Sequence, residues 1–267
     1  MFLTNTDGCV TTLTLGHPPV NAISEEWVRA FDGKLDELAN GPRCTVLHIR
    51  SDQKIFCAGA DLKEIRERME VRDGADRMYS FVASIQRLYA RIERLALVTL
   101  AEIAGAAMGG GLELALACDL RIAAAEAKLG LPEARLGLIP GAGGTQRLTR
   151  LCGPAVAARL ILGAEILDGR TASELGVVHW AVPRVDLAQR AAEIARGIAS
   201  LPAAALAASK ACIAAAGQKD RGGFTDELEF TRLLLNDAET RQRVQAFLAS
   251  SAERSTQMKR GAGHEIK

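Results

Sequence analysis

LVTLAEIAGAAMGGGLELALACDLRIA, residues 97–123, is the stretch whose reading decides the fold. Leu97 to Ala104 reads as a buried strand, and the glycine run Gly109 to Gly111 leads straight into a short apolar helix, Leu112 to Cys118. A second strand follows at Leu120 to Ala123. A strand, a glycine-rich turn, a helix and another strand in so short a span indicate an α/β protein.

The same alternation continues outward. Upstream, Met78, Phe81, Val82, Ile85, Leu88, Tyr89 and Ile92 keep helical spacing, and Asp61-x-x-Glu64 has the form of a capping box opening another helix. Thr45 to Arg50 is strand-like. Ser24 is placed to cap a helix that carries Trp27, Val28, Phe31, Leu35 and Leu38 on one face, and Val10 to Leu15 precedes it as a strand. Downstream of Pro183 the strand pattern stops, and alanine-rich and amphipathic helical stretches run on towards a polar tail. The expected organisation is an α/β region over residues 1–199 followed by a helical region over 200–267.

With 267 residues, 48% of them hydrophobic and 24% charged, the chain buries a core without staples. Its 33 basic and 32 acidic residues leave a formal charge of +1, so no global field draws it to nucleic acid or anionic lipid. Any anionic ligand is then held by a local site. No segment has the continuous apolar length of a membrane span. The six cysteines form no CxxC pair, and the opening MFLTNTDGCVTTLTL has neither a secretory nor an import pattern, so a reducing, cytoplasmic setting is expected.

Chemistry concentrates at two glutamates. Glu113 lies within GGGLELALACDL, where every near neighbour is apolar and an ionised carboxylate is costly to bury. Its plainer reading is a first-turn glutamate favoured by the helix dipole. Glu133, in LPEARLGLIPGAGGTQRL, follows a proline at a helix start, which is ordinary N-terminal chemistry when taken singly. Together, two glutamates each beside a glycine-rich loop are able to converge on one pocket as an acid/base pair, one protonated and one ionised. The glycines allow close backbone approach, as an oxyanion-binding site needs, and equally suit tight helix–strand packing.

Other chemistries lack their signatures. GAGGTQ at 141–146 has no third glycine of a dinucleotide fingerprint, and there is neither a GxxxxGK phosphate loop nor a GxSxG elbow. His17, His48, His179 and His264 stand apart from one another and from cysteines at ligand spacing, so neither a metal nor a separate cofactor is expected.

Four motifs occur in one order: HPPVNAIS at 17–24, FCAGADLKE at 56–64, AAMGGGLELALACD at 106–119 and LPEARLGLIPGAGGTQRL at 131–148. In that order they resemble the crotonase superfamily, and its enoyl-CoA hydratases in particular. The likeness extends through DGRTASELGVVHWAVP at 168–183 and becomes diffuse in the C-terminal helices. It implies a spiral of β-β-α units with a C-terminal helical oligomerisation region, acyl-CoA as the ligand, coenzyme A entering as part of the substrate, and assembly as a homotrimer or homohexamer.

By the same resemblance, Ala60 and Gly110 donate the backbone N–H groups of an oxyanion hole, and Glu113 and Glu133 form the acid/base pair. Gly141 lies near the nucleophilic water, while Ala58 and the segment Ala60, Asp61, Leu62 and Lys63 line the coenzyme A groove. Met69, Met78 and Leu131 are candidate walls of the acyl pocket. The implied reaction is hydration of an enoyl-CoA in fatty-acid or branched-chain acyl-CoA breakdown. Isomerisation, hydrolysis and decarboxylation are open to the same scaffold, and an RNA-binding or scaffolding protein retaining the fold is the non-enzymatic alternative. The sequence departs from the family pattern at Ala96, Val98 and Ala104, and at FLASSAERS, 247–255, where relatives carry an acidic-basic run.

Overall fold

The computed structural model describes residues 1–40, 44–216 and 222–248. It divides into two compact units, Met1–Ser200 and Leu201–Lys267. Most of FLASSAERS, together with His264, lies outside the described residues.

The first unit opens with an antiparallel hairpin of β1 (Phe2–Asp7) and β2 (Val10–Leu15), turned at Gly8 with φ of +57°. β1 escapes a sequence reading because all its residues after Phe2 are exposed and mostly polar, leaving no apolar alternation. Helix α1 (Glu25–Asn40) starts where expected, with the Trp27 N–H donating to Ser24 Oγ at 3.1 Å. Its Trp27 and Phe31 rings meet Phe2 with centroids 5.2 and 5.1 Å away, which ties the helix to β1.

The chain then runs through β3 (Val46–Ser51), α2 (Leu62–Met69), α3 (Gly74–Arg94), β4 (Val98–Ile103), β5 (Ala107–Met108), α4 (Gly110–Leu116), β6 (Leu120–Ala124) and β7 (Lys128–Gly130). A 3-10 turn (Pro132–Leu136), α5 (Gly144–Ile161), β8 (Ile166–Asp168), α6 (Gly169–Glu174), β9 (Trp180–Val182) and α7 (Arg184–Ala199) complete the unit. The larger sheet has the order β1-β2-β3-β4-β6-β9 and the smaller β5-β7-β8. From β2 to β9 the larger sheet is parallel, and β4 is buried at every position, as a strand covered on both faces must be.

A repeat emerges from the pairing. β4 and β6 lie in the larger sheet, and the strands that follow them, β5 and β7, lie in the smaller one before the chain turns into α4 and the 3-10 turn. Parallel bridges Cys57 to Ala107 and Ile23 to Ala60 carry the same arrangement back to the units that begin with β3 and β2. This is the expected spiral of β-β-α units.

Two local expectations are revised. Only half of the capping box forms: Asp61 Oδ1 accepts from the Lys63 N–H at 2.8 Å, whereas Glu64 turns to Arg68 at 3.0 Å. The helix after the glycine run begins within it, at Gly110 rather than Leu112. The second unit holds α8 (Ala203–Ala215), α9 (Gly223–Leu235) and a helical stretch over 238–248. Among the described residues no single helix is long and apolar enough to cross a membrane.

Candidate active site

Glycine permits the closest approach in the fold. The loop after β3 and the start of α4 come together so tightly that a Cβ on Gly59, which has φ of +93°, would lie 2.9 Å from Met108 O and 3.2 Å from Gly110 N. One on Gly110 would lie 3.7 Å from Ala60 N. Three neighbouring N–H groups are committed: Asp61 donates to Ile23 O at 2.9 Å, Met108 to Cys57 O at 3.0 Å and Gly109 to Gly130 O at 3.0 Å. Among the described residues those of Ala60 and Gly110 have no acceptor. Gly110 opens α4, whose first-turn donors have no partner within the helix. Two neighbouring unpaired donors are available to one ligand oxygen.

Glu113 lies one turn beyond Gly110 on α4, only 2% exposed. The Gly144 N–H donates to its Oε1 at 2.7 Å. Burial pushes its carboxyl up to about 7, opposed by the N–H groups of Gly144 and Ala142 and by the charge of Arg147, and assisted by the nearby Glu133. Glu133 sits at the second position of the 3-10 turn behind Pro132, and burial raises its carboxyl too. Its Oε2 is buried with no hydrogen-bond partner among the described residues. Its Oε1 lies over Gly109, where a Cβ would come within 2.7 Å.

Both carboxyls line one cavity of about 520 Å³, together with Ala58, Ala60, Leu62, Gly110 and Gly141. Asp61 and Lys63 are not part of its wall; Asp61 caps α2 instead. Of the acyl-wall candidates Met78 lines the cavity, but Met69 and Leu131 do not. Met69 is 70% exposed at the end of α2, and Leu131 is wholly buried in the core. The walls unread in the sequence are Ile65 and Tyr79, Phe81, Val82 and Ile85 of α3, facing Leu136, Leu138 and Ile139. The α3 positions have the spacing of a core face, which conceals that part of this face borders a cavity.

The supports behind the lining were also unread. Tyr89 donates its hydroxyl to Gly110 O at 2.7 Å, and Gln86 Nε2 donates to Gly141 O at 2.5 Å. Buried Asn21, with φ of +51°, gives its side-chain N–H₂ to Phe56 O at 2.9 Å and to Ser51 Oγ at 2.8 Å, which fixes the loop that presents Ala60. An Asn is the residue that tolerates this backbone region, and its place in PPVNAIS was the signal available.

Among the described residues no group of three or more His, Cys, Asp or Glu is placed to hold a metal. His48 instead lies against Glu102 at 2.8 Å, and His179 Nδ1 accepts from the Arg121 N–H at 3.1 Å.

The enoyl-CoA hydratase/isomerase family model matches residues 5–255. A probable mitochondrial enoyl-CoA hydratase 2 of Arabidopsis thaliana is 39% identical over 73% of this chain and 64% of its own length. A putative enoyl-CoA hydratase/isomerase of Bacillus subtilis is 42% identical over 70% of this chain and 71% of that protein. The mouse methylglutaconyl-CoA hydratase is 44% identical over 59% of this chain, a match spanning about half (49%) of that relative's length. Among solved structures, an enoyl-CoA hydratase from Bacillus anthracis superposes with a TM-score of 0.86 at 33% identity, covering 93% of this chain and 96% of that one. One from Polaromonas sp. JS666 gives 0.87 at 26%, covering 93% and 97%. A family match over nearly the whole chain, with the same fold in these structures, makes this protein a member of the enoyl-CoA hydratase/isomerase family of the crotonase superfamily.

Proposed function

We propose that the protein is an enoyl-CoA hydratase acting on neutral, apolar 2-enoyl thioesters. The observation that carries this reading is the convergence of Glu113 and Glu133 on a cavity whose wall also includes Ala60 and Gly110, with their unpaired N–H groups.

The thioester oxygen accepts from Ala60 and Gly110, which withdraws electron density from the double bond and makes C3 electrophilic. A water held by the two carboxyls loses a proton to Glu113 as its oxygen bonds to C3, and the displaced electron pair moves into the enolate. Glu133 then gives its proton to C2, and transfer between the carboxyls restores the resting pair. Both carboxyls suit proton transfer near neutral pH: burial raises Glu113 to about 7, where it can take and return a proton, and burial raises Glu133 as well. Isomerisation needs only one proton shuttle, so the paired carboxyls favour hydration.

Ala58 and the Ala60 to Lys63 segment are the proposed coenzyme A contacts, with Gly141 beside the attacking water. Among the lining residues the ionisable side chains are Glu113, Glu133 and Tyr79, with no Lys, Arg or His. A terminal carboxylate on the acyl group would therefore lose its water without gaining a cation, which favours an apolar acyl chain.

A homotrimer or homohexamer in the cytoplasm belongs to the same reading. Self-association is supported by the exposed Phe224, Leu228, Leu233 and Leu235 of α9, which a second copy would cover. Light scattering at micromolar concentration tests the assembly. Loss of the ultraviolet absorbance of crotonyl-CoA tests the reaction, with the 3-hydroxy product identified by mass. Double-bond migration without water addition would move the assignment to an isomerase, and no turnover across a panel of enoyl thioesters would end it.

A further inference from the structure

We propose that Arg147, gripped by Glu93, is a positioning residue that presses the Ala142–Gly144 turn onto Glu113 and places a positive charge behind this carboxyl. The inference rests on the acid/base reading of Glu113 above.

Arg147 lies in the first turns of α5 and is only 9% exposed. Its guanidinium forks onto Glu93 near the end of α3, with Nε donating to Oε1 at 2.9 Å and Nη2 to Oε2 at 2.6 Å. The remaining Nη1 donates to Ala142 O at 2.7 Å. Gly143 has φ of +108°, and a Cβ there would overlap Nη1, so the turn lies directly on the guanidinium. The next residue, Gly144, donates its N–H to Glu113 Oε1 at 2.7 Å. One face of the turn is therefore held by Arg147 and the other meets the carboxyl.

Among the described residues, two charged groups act on Glu113. Glu133 of the 3-10 turn raises its proton affinity, and Arg147 of α5 lowers it. Tyr89 of α3 is fully buried, and desolvation keeps its phenol protonated. The Arg147 Cζ lies 6.0 Å from the Tyr89 ring centroid, and that ring holds Gly110 O, so the same cation stands behind both the carboxyl and the donor loop. With the Glu93 side chain 39% exposed, the pair is screened by solvent and contributes little to stability. Its contact with this turn supplies a catalytic reason for it.

The test compares Arg147→Gln, Arg147→Lys and Glu93→Gln. If Glu113 must be ionised, kcat/KM falls on the acid side as that group protonates. Removing the cation in Arg147→Gln moves this limb upward by about half a pH unit or more. Removing the opposing anion in Glu93→Gln moves it downward, and Arg147→Lys keeps the limb near wild type while kcat falls with loss of the fork. A merely structural pair would lower the melting temperature of all three and leave the limb in place.

The Glu113 carboxyl is titrated in parallel by ¹³C NMR of protein labelled at the glutamate carboxyls, its signal identified by its loss in Glu113→Gln. This readout needs no turnover. Wild-type protein that fails to hydrate any enoyl-CoA while the carboxyl shifts in opposite senses would overturn the hydratase reading and sustain the positioning role. Normal hydration with an unmoved carboxyl would overturn the positioning role alone. Should Arg147→Gln fail to fold, Glu93→Gln decides: a downward shift sustains the proposal and no shift defeats it.

Discussion

Glu113 Oε1 accepts the backbone N–H of Gly144 at 2.7 Å across 31 residues of sequence. The contact joins the helix that begins at the unpaired Gly110 N–H to the first residue of α5. One carboxyl is thereby oriented by backbone rather than by another side chain. That anchor resists the rotation that a long side chain otherwise explores.

Gly109→Ala should disable the site while leaving the fold. Gly109 has φ of +50° with ψ of −124°, a region all but closed to residues with a Cβ, so alanine costs about 1–3 kcal/mol in backbone strain. Its methyl would also sit 2.7 Å from Glu133 Oε1 and displace the carboxyl. A fall in kcat of roughly tenfold to a hundredfold is expected from misplacement on that scale. Gly8→Ala is the control, because Gly8 has φ of +57° but nothing within 4 Å of its added Cβ. Equal stability losses with equal kcat in the two variants would refute the contact argument.

Stability should fall with rising pH through the interval in which Glu113 titrates. Its folded carboxyl is raised to about 7 from the ordinary 4.5 of a solvated glutamate, so between these values the folded state holds more protons than the unfolded one. Stability from this group is then fully present below the unfolded value and is lost as pH rises towards the folded one. Glu113→Gln removes the dependence, so relative to wild type the variant gains with pH up to about 7, by at most about 3 kcal/mol, and the difference is flat above that. Urea unfolding at several pH values measures it. A difference that is flat from pH 4 to 8, or that slopes the other way, would contradict a buried carboxyl of raised proton affinity.

The fold was legible where composition and geometry agree. The apolar run into Gly109 to Gly111 and out through Leu112 to Cys118 gave away a strand and a helix because their backbone demands are local. Glu113 stood out because a lone carboxyl among apolar residues has few explanations, and Glu133 gained meaning from it. β1 was hidden by its polar, exposed face. Arg147, Glu93 and Tyr89 were hidden for another reason: Arg147 meets Glu93 across 54 residues and Tyr89 meets Gly110 across 21, and no short window contains such pairs. Local pattern locates groups that touch the substrate more readily than groups that hold them.

Substrate selection should follow acyl charge. Glu113 and Glu133 already supply two acidic groups, and Met78, Phe81, Val82, Ile85, Leu138 and Ile139 supply apolar wall. For enoyl thioesters of matched size, kcat/KM should be at least about tenfold lower when the acyl group ends in a carboxylate, since no lining cation replaces the lost water. Equal values for the neutral and carboxylated substrates would refute the apolar assignment without touching the hydratase one.

The glutamate pair makes the sharpest demand. Glu113→Gln and Glu133→Gln should each lower hydration by at least about a hundredfold, the low end of acid/base contributions, while coenzyme A binding stays largely intact. Glutamine keeps the size of the side chain but cannot exchange the proton. At Glu113 it can still accept the Gly144 N–H through its carbonyl, so the loss reads chemistry rather than collapse of the 2.7 Å contact. Because both carboxyls hold the same water, the first substitution already breaks the relay, and the double variant should lose far less than the product of the single losses. Titration with a non-reacting saturated acyl-CoA, beside single-turnover kinetics with crotonyl-CoA, separates binding from chemistry. Near wild-type hydration in Glu113→Gln with Glu133→Gln inactive would point to one essential carboxyl and an isomerase-like mechanism. Full activity in both would place the reaction elsewhere in the molecule.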